Sequence, residues 1–240
     1  MRGKRLIRRL LGKDEARRPA RTIEEGLESA RAAWNREMQP FRNPLGIIDI
    51  PGYPLLDSVH MEGCQFLPSR RSIIERMPVG AVAAEIGVQT GAFSRFILDT
   101  NRPSELRLVD MDLATYGIDA MFRDEIGRGI VTTHEGDSST IIASFPDAHF
   151  DYMYIDADHA YEGVKRDIAA AKSKIKPGGY LLFNDYTFWS AAECMPYGVI
   201  HAVNELCIED GWKLVYFAFG QMSYNDVAVQ RIADLPQPGG

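Results

Sequence analysis

The stretch Val82-Ala83-Ala84-Glu85-Ile86-Gly87-Val88-Gln89-Thr90-Gly91-Ala92-Phe93-Ser94 decides how the chain is read. Residues 81–86 are apolar apart from Glu85. A short apolar run ending at a glycine suits a central strand of a parallel sheet. Gly87 and Gly91 allow the backbone to turn sharply and to come close to a ligand. Ser94 opens a helix through Arg95-Phe96-Ile97-Leu98. A helix N-terminus, with free N–H groups and partial positive charge, then stands over the strand end.

The glycine spacing narrows the ligand. A dinucleotide fingerprint wants G-x-G-x-x-G, whereas G-x-x-x-G here puts Val88 and Gln89 where its second glycine belongs. A pyrophosphate would meet those side chains and be repelled by Glu85. The same acid suits a ligand with a cationic amino group.

Downstream, strands and helices alternate. Residues 105–109 form a strand ending at Asp110-Met111-Asp112, and 129–134 one followed by Gly136-Asp137-Ser138-Ser139. Residues 150–155 lead to Asp156-Ala157-Asp158-His159, and a helix over 161–175 turns at Pro177-Gly178-Gly179 into a strand 180–184 that ends at Asp185. A further helix lies within 196–210. Residues 212–219 and 226–231 flank a turn and predict a hairpin, so the final strand is antiparallel. The expected fold is α/β: a doubly wound, seven-stranded, mostly parallel sheet with an antiparallel last strand, plus an N-terminal helical extension. Glu85, Asp110, Asp137, Asp156 and Asp185 all fall at the carboxyl ends of strands, the edge where such sheets bind ligands.

Upstream, residues 1–21 are a basic arm in which Arg2, Lys4, Arg5, Arg8, Arg9, Lys13, Arg17, Arg18 and Arg21 oppose only Asp14 and Glu15. Such an arm can touch an anionic membrane surface. The pattern Thr22-Ile23-Glu24-Glu25 predicts a capping box and a helix to about Met38. Residues 41–70, rich in proline and glycine, predict irregular structure and a candidate substrate lid. A short helix over 72–77 precedes the first strand. The organisation expected is an arm (1–21), a helix and lid (22–70) and a ligand-binding domain (71–240). A net charge of −6 over 240 residues argues against a general nucleic-acid binder. Three widely spaced cysteines form neither a disulfide framework nor a metal pattern, which suits a reduced, cytoplasmic protein. A homo-oligomer is compatible with all of this.

Glu85-x-Gly87-x-x-x-Gly91 resembles the first motif of the class I S-adenosylmethionine-dependent methyltransferases, and the resemblance extends over about residues 70–231. It implies that Glu85, Gly87, Gly91 and Ser94 shape the cofactor turn. It also implies that Asp110, with Met111 beside it and Asp112 as the competing acid, holds the ribose, that Asp137 and Ser138 offer an acceptor and a donor to the adenine edge, and that Asp156 too faces the cofactor. The region Tyr154-Ile155-Asp156-Ala157-Asp158-His159 is similar to the catechol-type and bacterial natural-product and sugar O-methyltransferases. That likeness implies a small-molecule hydroxyl as acceptor, with Asp156 and Asp185 as ligands of a divalent metal such as Mg²⁺ or Ca²⁺. His159 falls at the position of the catechol-type catalytic lysine. Tyr186 stands where those enzymes carry a metal-binding asparagine, so Asn184, Asp158 or water would have to complete the set. His159 can serve as a base near neutral pH, or it can cap the next helix or pack on Tyr161.

Two other readings remain open from sequence alone. One is an NAD-dependent oxidoreductase on a similar sheet, against which the glycine spacing argues. The other is a non-catalytic module that binds the cofactor without turnover.

Overall fold

The computed structural model describes residues 22–42, 44, 45 and 53–235. The basic arm of residues 1–21, with the membrane contact expected of it, lies outside them, as do residues 46–52 of the expected lid. The chain divides into two units, Met1–Tyr53 and Pro54–Gly240.

In the first unit, α1 (Ile23–Glu37) begins with the predicted capping box: the Thr22 hydroxyl accepts from the Glu25 N–H at 3.2 Å, and the Glu25 carboxylate accepts from the Thr22 N–H at 2.9 Å. Two N–H groups that the first turn leaves without helical partners are thereby satisfied. The helix stops at Met38, ahead of Pro40.

The second unit opens with β1 (Gln65–Leu67), α2 (Arg70–Ile74), β2 (Val82–Ile86), α3 (Ala92–Asn101) and β3 (Glu105–Asp110). Next come α4 (Ile118–Met121), α5 (Arg123–Gly127), β4 (Val131–Glu135), α6 (Ser138–Ser144), β5 (Phe150–Ile155), α7 (Tyr161–Ala171) and β6 (Ile175–Phe183). A two-residue ribbon, β7 (Trp189–Ser190) with β8 (Met195–Pro196), leads to α8 (Val199–Asp210), β9 (Trp212–Ala218) and β10 (Asp226–Arg231).

The sheet order is β1-β9-β10-β6-β5-β2-β3-β4. Every pairing is parallel except those of β10, which runs antiparallel between β6 and β9. The predicted closing hairpin is therefore present, but the sheet has eight strands rather than seven. The extra strand, β1, lies where proline and glycine content predicted no regular structure. Gln65–Leu67 is short enough to fit between those breakers, and it pairs with the otherwise free edge of β9. The fifth predicted strand also begins earlier, at Ile175, running straight through Pro177-Gly178-Gly179.

β2 sits at the centre, with Ala83, Ala84 and Ile86 fully buried. Beyond it β3 and β4 extend the sheet one way, and β5 and β6 the other. The crevice between β2 and β5 at the carboxyl edge is thus a topological switch point, where such sheets bind ligands. No helix among the described residues is long and apolar enough to cross a membrane.

Candidate active site

The turn after β2 is built from local constraints. Gly87 has φ +90° and Gly91 φ +72°, both in the left-handed region that glycine tolerates. Gly91 caps α3, and a Cβ there would stand 3.0 Å from both Ile118 Cδ1 and Met121 Sδ. Ser94 is fully buried and donates its hydroxyl proton to Glu85. Gly91 and Ser94 do not line the cleft; they shape the turn through packing and by holding Glu85.

A cleft of about 600 Å³ opens above this turn. Glu85, Gly87, Asp110, Met111, Asp137, Ser138, Asp156 and His159 all line it. The sequence placed these residues on four successive strand ends, and the fold brings them to one wall.

Each carboxylate has a distinct environment. Burial pushes the Glu85 carboxyl up to about 8, against the opposing hydrogen bond from Ser94, so it is neutral at pH 7 until a cation arrives. Asp110 accepts from the Val88 and Gln89 N–H groups at 2.7 and 2.8 Å through one oxygen, and from the Asp112 N–H at 3.0 Å through the other. The loop N–H groups that would cradle a pyrophosphate are already taken, which argues physically against a dinucleotide. A carboxylate still has lone pairs to offer a diol. Asp137 caps α6 and is held near 2, chiefly by the Thr140 hydroxyl and N–H and by Ser139. Ser138 differs from expectation: its hydroxyl donates inward to Asp167 at 2.7 Å, so it presents no donor to the cleft.

The other end of the cleft is centred on His159. Its Nε2 lies 3.4 Å from an oxygen of Asp156 and 3.4 Å from one of Asp185, without hydrogen-bond geometry to either. The ring stacks on Tyr197 at 4.5 Å and 12°, rather than packing on Tyr161. Burial works to lower the His159 pKa, but the hydrogen-bonding influence and charge of Asp156, with the charges of Asp185 and Glu193, raise it overall. Burial lifts Asp185 to about 6, against the charge of His159. Asp185 also has φ +55°, an uncommon backbone conformation for a residue other than glycine.

The residues do not fit a catechol-type metal site. Tyr186, at the asparagine position, donates its hydroxyl to buried Asn204 at 2.6 Å. Asn184 turns its amide to Asp226 at 3.3 Å. The imidazole of His159 occupies the gap between Asp156 and Asp185 that a cation would need. Among the described residues, no group of three or more His, Cys, Asp or Glu side chains is arranged to hold a metal.

Arg70 was not anticipated. It reaches from α2 into the cleft, with its guanidinium 4.5 Å from the Phe93 ring centre, 3.7 Å from Asp156, and donating to the Tyr154 hydroxyl at 3.3 Å. Tyr154 in turn donates to Asp226 at 2.7 Å, whose carboxyl burial raises to about 7. The only sequence trace of Arg70 is a basic pair just before β2, which reads equally well as a solvated helix start.

Residues 84–186 match a family model described as a methyltransferase domain. No protein with a curated description matches the chain. A protein of Corynebacterium glutamicum superimposes with TM-score 0.53 at 14% identity, over 88% of this chain and 92% of that one. An O-methyltransferase family protein from Burkholderia thailandensis does so with TM-score 0.51 at 13% identity, over 67% of this chain and 55% of that one. A tRNA methyltransferase from B. subtilis gives TM-score 0.50 at 15% identity, over 68% and 65%. This chain thus spans less than two thirds of the length of the last two, and at such identities the likeness establishes the fold alone. The matched stretch, residues 84–186, spans the turn after β2, Asp110, Asp156 and Asp185 and resembles a methyltransferase domain.

Proposed function

We propose that the protein transfers a methyl group to a hydroxyl of a small molecule, with His159 as the base and no metal. The observation that carries this reading is the His159 imidazole, which lines the cleft with Nε2 held between Asp156 and Asp185. When bound, S-adenosylmethionine supplies a methyl group already activated on a sulfonium centre. The chain's own residues do the rest. Asp110 accepts from the ribose hydroxyls, and Glu85 meets the amino group as an anion. Asp156 and Asp185 orient His159 and stabilise its charged form, as a carboxylate beside a catalytic imidazole does. The imidazole takes the proton from the acceptor hydroxyl, and Tyr197, stacked on the ring, shields it from water. Positioning contributes most, since the methyl donor needs little further activation.

A small acceptor fits better than a nucleic acid. The cleft wall carries Asp156, Asp158 and Glu193 against Arg70 and Arg166, and a phosphate backbone would be repelled there. The test is methyl transfer from labelled S-adenosylmethionine to a panel of hydroxylated small molecules, with chelator present and with tRNA as a control. Labelling of tRNA and of no small molecule would overturn the proposal.

A further inference from the structure

The ribbon of β7 and β8 carries a carboxylate to the His159 end of the cleft. Glu193 lies in its turn and lines the cleft. The turn is pegged in place. The Glu193 N–H donates to the Ser190 hydroxyl at 3.0 Å, and Ser190 is fully buried and bonded to the Tyr224 hydroxyl at 2.8 Å. That tyrosine oxygen also accepts from the Ala192 N–H at 2.8 Å. Glu193 Oε2 accepts from the Tyr197 hydroxyl at 2.7 Å, and the face of the same tyrosine ring stacks on the His159 imidazole. The carboxylate therefore stands at the far end of the ring that backs the base. Both arginines of the cleft already face an acid: Arg70 lies 3.7 Å from Asp156 and Arg166 3.9 Å from Asp158. Among the described residues, no lysine or arginine comes within ion-pair distance of Glu193 or of Asp185, whose one charged neighbour is His159. Oε1 of Glu193 accepts no hydrogen bond from them. Carboxylates at a cleft wall with unfilled lone pairs gain from a donor, and more from a charged one. An ammonium brings three donors and no acceptor, whereas a second anion would be repelled.

We propose that Glu193 is a specificity-determining residue whose free oxygen takes the ammonium of an acceptor that carries an amino group on the same scaffold as the hydroxyl presented to His159. The inference rests on the proposed hydroxyl transfer and deepens it by naming the acceptor's class, a small hydroxylated amine. The ammonium is a handle and not the nucleophile. While protonated, its nitrogen has no lone pair to offer a methyl group, so the hydroxyl oxygen remains the attacking atom. Glu193 is exposed, so solvent screens the pair and its contribution is modest.

The experiment measures labelled methyl transfer by the full chain to a panel of hydroxylated small molecules sorted into amines, neutral compounds and carboxylates, with the labelled atom located by mass spectrometry. Matched sets anchor the panel: tyramine, N-acetyltyramine and hydroxyphenylacetate, and glucosamine, N-acetylglucosamine and glucuronate. The unaltered protein should favour an amine over its N-acetyl partner by on the order of 10-fold in kcat/KM, about what one charge-assisted hydrogen bond is worth in a partly open site. Glu193→Gln keeps an oxygen for the Tyr197 hydroxyl and removes only the charge, so it should bring that ratio toward one by raising KM for the amine. Glu193→Lys should turn the preference toward the carboxylate. Thermal unfolding and calorimetry with S-adenosylhomocysteine confirm that each variant is folded and holds its cofactor. Transfer to neutral or carboxylate members at least as fast as to amines would overturn the proposal and leave hydroxyl transfer standing. A ratio unchanged in Glu193→Gln would reduce Glu193 to a prop for Tyr197 and overturn it too. Label on the amine nitrogen would overturn both readings, since the amino group would then be the acceptor. No labelling anywhere in the panel would sink the hydroxyl reading and the proposal with it.

Discussion

Gly87 lies directly beneath the carbonyl of Asp156: a Cβ built on it would stand 1.8 Å from that oxygen. The two strand ends are also tied by the Asp156 N–H, which donates to the Ile86 carbonyl at 2.7 Å, and the Gly87 N–H donates to Val109 at 2.8 Å. The turn after β2 and the Asp156 end of β5 are therefore one mechanical unit. Gly87→Ala faces both a positive φ and a backbone collision, neither relieved by rotating a side chain. It should destabilise the protein by more than the ~1–3 kcal/mol of a strained backbone position alone, and it should lose cofactor affinity as Asp156 is displaced. Thermal unfolding and calorimetry check both, and an unfolding midpoint equal to that of the unaltered protein would show that the contact is not rigid.

Asp110 braces the turn after β2 in the structure, beside the ribose contact proposed for it. Its bonds to the N–H groups of Val88 and Gln89 brace a turn in which Gln89 has φ +48°. Asp110→Ala should cost on the order of 1–3 kcal/mol of cofactor affinity per charged hydrogen bond lost and should also loosen the turn. Asp110→Asn keeps one acceptor oxygen and should fall between. Amide exchange at Val88 and Gln89, read beside calorimetric affinity, separates the two jobs; unchanged exchange in Asp110→Ala would show that the turn stands without it.

Glu85 makes apo stability depend on pH. Its carboxyl titrates near 4.5 when exposed and near 8 when buried in the fold. The folded state therefore holds more protons than the unfolded state between those values. The associated stability is present in full below about 4.5 and is lost as pH rises through about 8. Glu85→Gln should flatten the thermal midpoint across that window. Cofactor binding, which brings a cation to Glu85, should release protons at pH 7, seen as a binding enthalpy that varies with the buffer's ionisation enthalpy. Parallel midpoint curves for the two proteins would count against a neutral Glu85.

The β2–Gly87 turn and the row of acids were legible because period, glycine spacing and strand ends are local properties. The pairing of β1 with β9 was not, since three residues between prolines carry too little periodicity to predict a strand that only a free sheet edge creates. At the site, Asp156, His159 and Asp185 could be placed together because β5 and β6 are neighbours. Arg70 could not, because its reach to Tyr154 and Asp156 depends on how α2 packs, over 84 residues of separation in the case of Tyr154. The bond between Ser138 and Asp167 was equally hidden: Asp167 lies 29 residues on and reads in sequence as one more helix-surface acid.

His159 yields the sharpest pH prediction. As a base it must be unprotonated, so turnover should rise with pH through its pKa. The charges of Asp156 and Asp185 lift that pKa despite burial, which places the acidic limb of kcat/KM above the ordinary histidine value of about 6.5. Asp185→Asn removes one of the two anions flanking Nε2, so the limb should move to lower pH while turnover persists. His159→Ala should abolish the limb and reduce kcat by on the order of 10²–10⁴. A metal-dependent reaction would behave differently: chelator would stop it, added Mg²⁺ would restore it, and Asp185→Asn would lose turnover outright rather than shift its profile. With Tyr186 bonded to Asn204 and the imidazole between the two carboxylates, chelator should leave turnover unchanged. Turnover restored by Mg²⁺ after chelation, together with an unshifted limb in Asp185→Asn, would mean that His159 yields its place to a cation during the reaction.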